Sequence, residues 1–366
     1  MFSTILIFLI VLAILIFVHE LGHFLSAKFF GIRVDEFAIG FPPQIISWKK
    51  GETKYVLNLI PFGGYVKIFG EDPDEESIKG VDSARSFVNA KRWKQAIVLL
   101  SGIFMNIVFA WILISVSFNI GLLTSIEDQY KNQAQNVVVM VTSVQASSPA
   151  EKAGLKSGDK ILSVTSGTTT IAIPSTTDIQ KIVAESGNTI KIDYERGNST
   201  SSLNVLSSDG VVDGKKAIGI SMNLVGTVKF GFFRSFYEGL KLTFFESKAI
   251  AVGLYHFIVG AFSGQSEILS QVSGPVGIVG MVGEARGFGI SYLLGFIAMI
   301  SINLAVLNLV PFPALDGGRV FFVIIESIIR RRIKPVIANW TNTIGFVLLI
   351  LLMLFITYKD ILKLLK

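Results

Sequence analysis

Long uncharged apolar runs alternate with segments of mixed polarity, and four runs reach the length of a membrane-crossing helix. Such a helix needs about 20 predominantly apolar residues to cross a hydrocarbon layer of about 30 Å. Ile5 to Phe30 qualifies, although His19, Glu20, His23 and Lys28 interrupt its second half. Ala96 to Ile120 carries no charge; Ile290 to Leu315 is also uncharged and stops at Asp316; Val336 to Ile356 is the fourth. The chain starts Met1-Phe2-Ser3-Thr4 without a basic residue, and its first run is longer than a secretory signal core, so a retained span is expected.

The segment between the second and third runs changes character twice. Residues 125 to 228 are rich in Ser, Thr, Asp, Lys and Val, and runs such as Val137 to Val144, Lys160 to Val164 and Thr189 to Tyr194 alternate with turn residues. That pattern predicts a small β-rich domain. From Phe230 to Phe262 apolar residues mix with Lys241, Glu246 and Lys248, which predicts an amphipathic helix on the membrane surface. Basic residues between Lys28 and Lys94, and again from Arg330 to Lys334, orient both segments to the cytoplasm. The N-terminus, residues 121 to 289 and the C-terminus are then outside. The expected fold is a multi-pass α-helical membrane protein with four transmembrane helices.

Composition agrees. The 366 residues are 51% hydrophobic and only 16% charged, too little charge to coat a soluble protein of this size. Cysteine is absent, which removes disulfides, thiolate metal sites and a cysteine nucleophile. The net charge of +6 is spread along the flanks of the apolar runs, so nucleic acid is not an expected partner and the lipid bilayer is.

Residues 19 to 23 read His-Glu-Leu-Gly-His. Helix positions i and i+4 share a face, so both imidazoles can reach one ion. Glu20 beside them can take a proton from water, and Zn2+ is the ion this pattern favours. A charged residue deep in a membrane costs about 2.5–3.5 kcal/mol, so a purely structural role is a weak explanation. A catalytic zinc keeps three protein ligands and one open position. His256, the last of three histidines, falls on the outer side, whereas Asp316 ends a run that enters from outside and reaches the depth of His19 and His23. Pro311 and Pro313 break the helix there and let Asp316 turn inward. Asp316 is therefore the expected third metal residue.

His19-Glu20-Leu21-Gly22-His23 together with Asn308-x-x-Pro311-x-Pro313-x-Leu315-Asp316-Gly317 resembles the paired motifs of the site-2 protease family of intramembrane zinc metalloproteases, in the bacterial branch that regulates sigma-E. Gly40-Phe41-Pro42-Pro43 resembles a further family motif, and Pro61-Phe62-Gly63-Gly64-Tyr65-Val66-Lys67 resembles its membrane re-entrant β-hairpin. Ser148 to Asp159 resembles the PDZ segment of such proteases, with room for one PDZ domain where better-known relatives have two. Arg319 stands where some relatives have histidine.

The resemblance implies four regions. Residues 1–122 hold the first two spans and the re-entrant segment; 123–228 an extracytoplasmic PDZ-like domain; 229–289 amphipathic membrane-surface helices; 290–366 the last two spans. It implies a zinc endopeptidase of the bacterial cytoplasmic (inner) membrane that cuts single-span transmembrane substrates, such as anti-sigma factors already trimmed once and remnant signal peptides. Asn303 and Asn308 fall where the family places substrate-engaging asparagines. Gly63, Gly64, Tyr65 and Val66 are the expected strand-like substrate contacts, on a hairpin from Tyr55 to Phe69 that turns at Gly63-Gly64. A scaffold with a structural metal and a metal transporter are the competing readings. The open coordination position beside Glu20 opposes the first, and the few polar residues in the second and fourth spans oppose the second.

Overall fold

The computed structural model describes residues 2–72, 74–126, 130, 132–145, 147–185, 189–197, 199–212, 215–263 and 274–365. Residues 264–273, part of the segment expected at the membrane surface, lie outside the described residues. The chain divides into two compact units. One comprises Met1–Ile114, Glu238–Val282 and Phe296–Lys366; the other comprises Ser115–Tyr237 and Gly283–Gly295.

The elements run α1 (Phe2–Phe29), β1 (Val34–Lys50), β2 (Thr53–Ile68), α2 (Glu75–Lys79), α3 (Arg92–Ile120), β3 (Leu122–Ser125), β4 (Ala134–Val144), α4 (Pro149–Ala153), β5 (Lys160–Ser166), β6 (Thr169–Ala172) and α5 (Thr176–Glu185). They continue with β7 (Thr189–Arg196), β8 (Ser199–Leu206), β9 (Ser208–Val212), β10 (Lys215–Ala217), β11 (Ile220–Val228), α6 (Phe232–Phe262), α7 (Pro275–Gly287), α8 (Ile290–Leu309), α9 (Asp316–Ile329) and α10 (Pro335–Leu365).

Among the described residues five helices are long and apolar enough to cross a membrane: α1, α3, α6, α8 and α10. Helix α6 has the lowest mean hydropathy of the five, 1.3 against 2.2 to 2.8, and it is the segment the sequence pattern assigns to the membrane surface. The apolar run from Ile290 is not one helix to Leu315. Pro311 and Pro313 lack an amide hydrogen and restrict the residues before them, so α8 stops at Leu309 and Asp316 opens a new helix. A Cβ on Gly317 would lie 2.4 Å from the carbonyl oxygens of Leu309 and Val310, and one on Gly318 2.2 Å from that of Phe312. Only glycine lets the turn fold back this tightly onto the start of α9.

Helices α1 and α3 touch backbone to backbone. A Cβ on Gly22 would sit 2.3 Å from the Ser101 carbonyl oxygen, and the Ser26 and Ser101 hydroxyls bond across the contact at 2.7 Å. Small residues at such crossings let helices pack where lipid provides no hydrophobic drive. At the far end of α10, the buried Asp360 carboxylate accepts the backbone amides of Gly274 and Gly277 at 2.9 and 2.8 Å, capping α7.

Strands β1 and β2 each double back, so the pair forms four ribbons. The first ribbon of β1 has Gly64–Ile68 on one side (Ala38 opposite Tyr65) and ascends beside residues 54–57 on the other (Ile39 opposite Leu57). Residues 44–50 then return along 53–58. The tight turn is therefore at Gly51-Glu52, not at Gly63-Gly64 as the sequence pattern suggested. Gly63 lies instead on a crossover over the Phe41 ring, with φ +146° and a Cβ position only 2.2 Å from that ring. Among the described residues this leaves Gly64–Ile68 as an edge ribbon, paired on its β1 side. The tight turn is tied down by Glu52, which bonds Lys28 at 2.5 Å and Arg85 at 2.6 Å. Arg85 first, and Lys28 with it, hold the Glu52 carboxyl down to about 2.

The second unit is a sheet ordered β3-β11-β4-β5-β7-β8, with β6 beside β5. Val139, Val141, Ile161, Val164, Ile190 and Ile192 fill its core against Ile179, Ile182 and Val183 of α5. The Ser148 hydroxyl accepts the Glu151 amide at 3.2 Å to cap α4, and Gly154 ends it at φ +94°. Asp159, fully buried, is paired by Arg196 at 2.6 Å. A groove of about 770 Å³ runs between α5 and residues 216–222.

Candidate metal centre

Helix α1 places His19 and His23 one above the other, and the turn after α8 swings Asp316 against them. His19 Nε2 lies 2.9 Å and His23 Nε2 3.3 Å from Asp316 Oδ2, and the two Nε2 atoms are 3.3 Å apart. Among the described residues this is the one His/Asp/Glu group that could hold a metal. His256 lies exposed on α6, against Tyr255.

The donor chemistry fits a cation. His23 Nδ1 donates to the Val98 carbonyl oxygen at 2.8 Å, so the neutral ring has a bare lone pair on Nε2. That lone pair faces a second ring nitrogen and a buried carboxylate oxygen, Asp316 Oδ2, that has no hydrogen-bond partner. Two imidazole nitrogens and a carboxylate oxygen gathered this closely are a donor set that zinc takes. Tetrahedral bonds of about 2.0–2.1 Å imply ligand–ligand edges of about 3.3 Å, close to the spacing here.

Helix α3 forms the other wall. A Cβ on Gly102 would lie 2.4 Å from His23 Nε2 and 2.8 Å from His19 Cε1, so the rings lie directly on that glycine. Asn106, fully buried, has its amide nitrogen 3.2 Å from His19 Nδ1. Sequence reasoning passed over both because it read this span only for charge. A polar Asn inside an apolar span was the available signal.

Glu20 stands beside the two histidines at the edge ribbon. A Cβ on Gly64 would lie 3.6 Å from Glu20 Cγ. Glu20, His23, Tyr65, Val66 and Asp316 line one cavity of about 640 Å³. The Tyr65 hydroxyl donates to Glu36 at 2.5 Å. Gly63 does not line this cavity but supports the ribbon from the Phe41 crossover. Asn303 and Asn308 do not line it either, and the Asn303 amide donates to Met299 of its own helix at 3.0 Å.

The carboxylates of Glu71, Asp72, Asp74 and Glu76 meet the site. Arg319, one turn after Asp316, pairs with Glu71, and both line the cavity, whose mouth carries Asp72, Asp74 and Glu76.

Residues 7–352 match the profile of peptidase family M50. A relative from Clostridium perfringens that carries a zinc-metalloprotease name is 37% identical over 96% of this chain and 97% of its own length. One from Fusobacterium nucleatum with a similar name is 33% identical over 99% of both chains. Zinc metalloprotease RasP of Geobacillus kaustophilus is 29% identical over 99% of this chain and 98% of its own. With coverage from end to end, the chain belongs to peptidase family M50, the site-2 proteases, and is a zinc metalloprotease.

Proposed function

We propose that the protein hydrolyses peptide bonds inside the transmembrane segments of single-span proteins, with His19, His23 and Asp316 as zinc ligands and Glu20 as the proton carrier. The observation that carries this is the triangle of His19 Nε2, His23 Nε2 and Asp316 Oδ2 beside Glu20, on a helix apolar enough to lie in the bilayer. Bound zinc supplies a Lewis acid that polarises the scissile carbonyl and lowers the pKa of water. Glu20 accepts the proton of the attacking water and returns it to the leaving amine nitrogen. The test is cleavage of a tagged single-span substrate in detergent, where a chelator should abolish turnover and added zinc restore it. Turnover that survives complete zinc removal would refute the proposal.

A helical substrate hides its peptide bonds along its axis, so it must unwind locally and find new partners for its backbone. The edge ribbon Gly64–Ile68 offers unpaired backbone groups next to Glu20, and an unwound segment can add to it as a further strand. Gly63 and Gly64 keep that edge close to α1, and Tyr65 and Val66 form its floor. Asn303 and Asn308 are assigned a supporting role in holding displaced substrate backbone. A valine at Gly64 would press on the Ala38 carbonyl oxygen 2.9 Å away and on Ile16 at 3.2 Å. Pushing the ribbon back in this way is expected to lower cleavage by about 100-fold. Zinc content should not change, and its loss in Gly64→Val would show that the glycine serves the metal site instead.

Four spans, α1, α3, α8 and α10, account for the topology, with α6 on the outer surface. Helix α10 leaves the basic turn Arg330–Lys334 on the cytoplasmic side, so Asp360 near its end is outside, and Asp360 holds Gly274. Residues 263–273 are too few to supply another spanning helix. This supports both ends of α6 lying outside, with its exposed Phe232, Phe233, Phe244 and Phe245 in lipid. The unit built on β3–β11 reads as an extracytoplasmic PDZ-like domain whose groove along α5 and β11 selects substrates by binding an extended segment. Bacterial relatives support placement in the cytoplasmic membrane, and trimmed anti-sigma factors and remnant signal peptides are the proposed substrates.

A further inference from the structure

Each imidazole of the metal centre is contacted on its outer nitrogen by α3. His23 Nδ1 has the Val98 carbonyl oxygen at 2.8 Å, an unambiguous acceptor. His19 Nδ1 has only the Asn106 side chain, with the amide nitrogen facing it at 3.2 Å and the amide oxygen buried without a partner. With Nε2 of His19 given to a metal, its one ring hydrogen is on Nδ1. An amide N–H and a ring N–H cannot bond to each other, because both are donors.

A half-turn of the amide about the Cβ–Cγ bond exchanges its oxygen and nitrogen in nearly the same space. Either orientation leaves one amide group without a partner, but only the turned one gives the His19 N–H an acceptor. The backbone around Asn106 is fixed independently, since the Ser301 hydroxyl of α8 donates to its carbonyl oxygen at 2.9 Å and the residue is fully buried. Asn106 is thus held by both α3 and α8 while its side chain reaches α1.

We propose that Asn106 is the positioning residue for His19: its amide oxygen accepts the Nδ1 hydrogen in the zinc-loaded protein, fixing the tautomer and turning Nε2 toward His23 and Asp316. The inference rests on zinc being held by His19, His23 and Asp316. Outer partners of this kind orient a ligand ring and raise its basicity. They belong to metal affinity before they belong to turnover.

The experiment is competition for zinc against a chelator of known affinity, on the full-length protein in detergent, for wild type, Asn106→Leu, Asn106→Asp and His19→Ala. Leucine keeps the branched side-chain skeleton of asparagine, though its methyl groups are bulkier, and has no acceptor, so it should weaken zinc binding by about 10- to 100-fold. Aspartate keeps an acceptor at the same place and should bind zinc within a few fold of wild type, because the acceptor and not the amide is the requirement. The Co2+ absorption spectrum of the Asp variant should match wild type, whereas that of the Leu variant should change. Equal affinity in wild type and Asn106→Leu would overturn the proposal, as would equal weakening in the Leu and Asp variants, which would mark a packing role. His19→Ala separates the two levels of the argument: if it still binds zinc like wild type, the ligand assignment itself fails, and the role of Asn106 with it.

Discussion

Replacing Glu20 by glutamine is expected to stop cleavage of a single-span substrate while leaving one zinc per chain. The glutamine amide fills the same space beside His19 and His23. What it loses is the ability to take a proton from the attacking water and deliver it to the leaving amine. Removing such a group typically costs about 100- to 10,000-fold in rate. Measuring zinc content and turnover on the same preparation separates this from loss of metal. Near wild-type cleavage by a zinc-loaded Glu20→Gln protein would remove Glu20 from the mechanism.

The second large effect is expected from a single methyl group. In Gly102→Ala the new Cβ would lie 2.4 Å from His23 Nε2 and 2.8 Å from His19 Cε1, well inside contact distance. Neither ring can retreat cheaply. His23 is bonded to Val98, and α1 cannot move away as a body because Gly22 and Ser26 fasten it to α3 at Ser101. The ligand atoms themselves must therefore shift. Zinc affinity should fall by more than the roughly 100-fold that marks loss of an outer-shell partner. Gly253→Ala on α6 is the control, since among the described residues no side chain or other element lies within 4 Å of its added Cβ. Full zinc loading and normal turnover in Gly102→Ala would mean that the metal is bound elsewhere.

His19, Glu20 and His23 were readable because the four-residue spacing of a helix is a local property. Asp316 was readable from depth, once two prolines stopped the apolar run before it. The second wall of the site was not, because Gly102 and Asn106 matter only through what α3 lies against, and that pairing is tertiary. The sheet was misread for a related reason. Adjacent glycines look like a hairpin turn, whereas Gly63 is required by the Phe41 ring crossing over it, and the real turn at Gly51-Glu52 is secured by Lys28 and Arg85. Glu71 is not linked to the site by local sequence, because its cation, Arg319, is far away along the chain.

The cavity that joins Glu20 and Asp316 to the exposed carboxylates of Asp72, Asp74 and Glu76 bears on which compartment supplies the reaction. Hydrolysis consumes a water molecule and exchanges protons, and neither is available from hydrocarbon. On the proposed topology both come from the cytoplasm, whose pH the cell regulates. The catalytic centre would then be buffered against acid or alkali outside the cell, whereas the proposed substrate-selecting domain would face those conditions directly. On that proposed topology, substrate selection and chemistry would occupy two aqueous phases, and a change outside would reach the zinc site only through which helix is delivered to it.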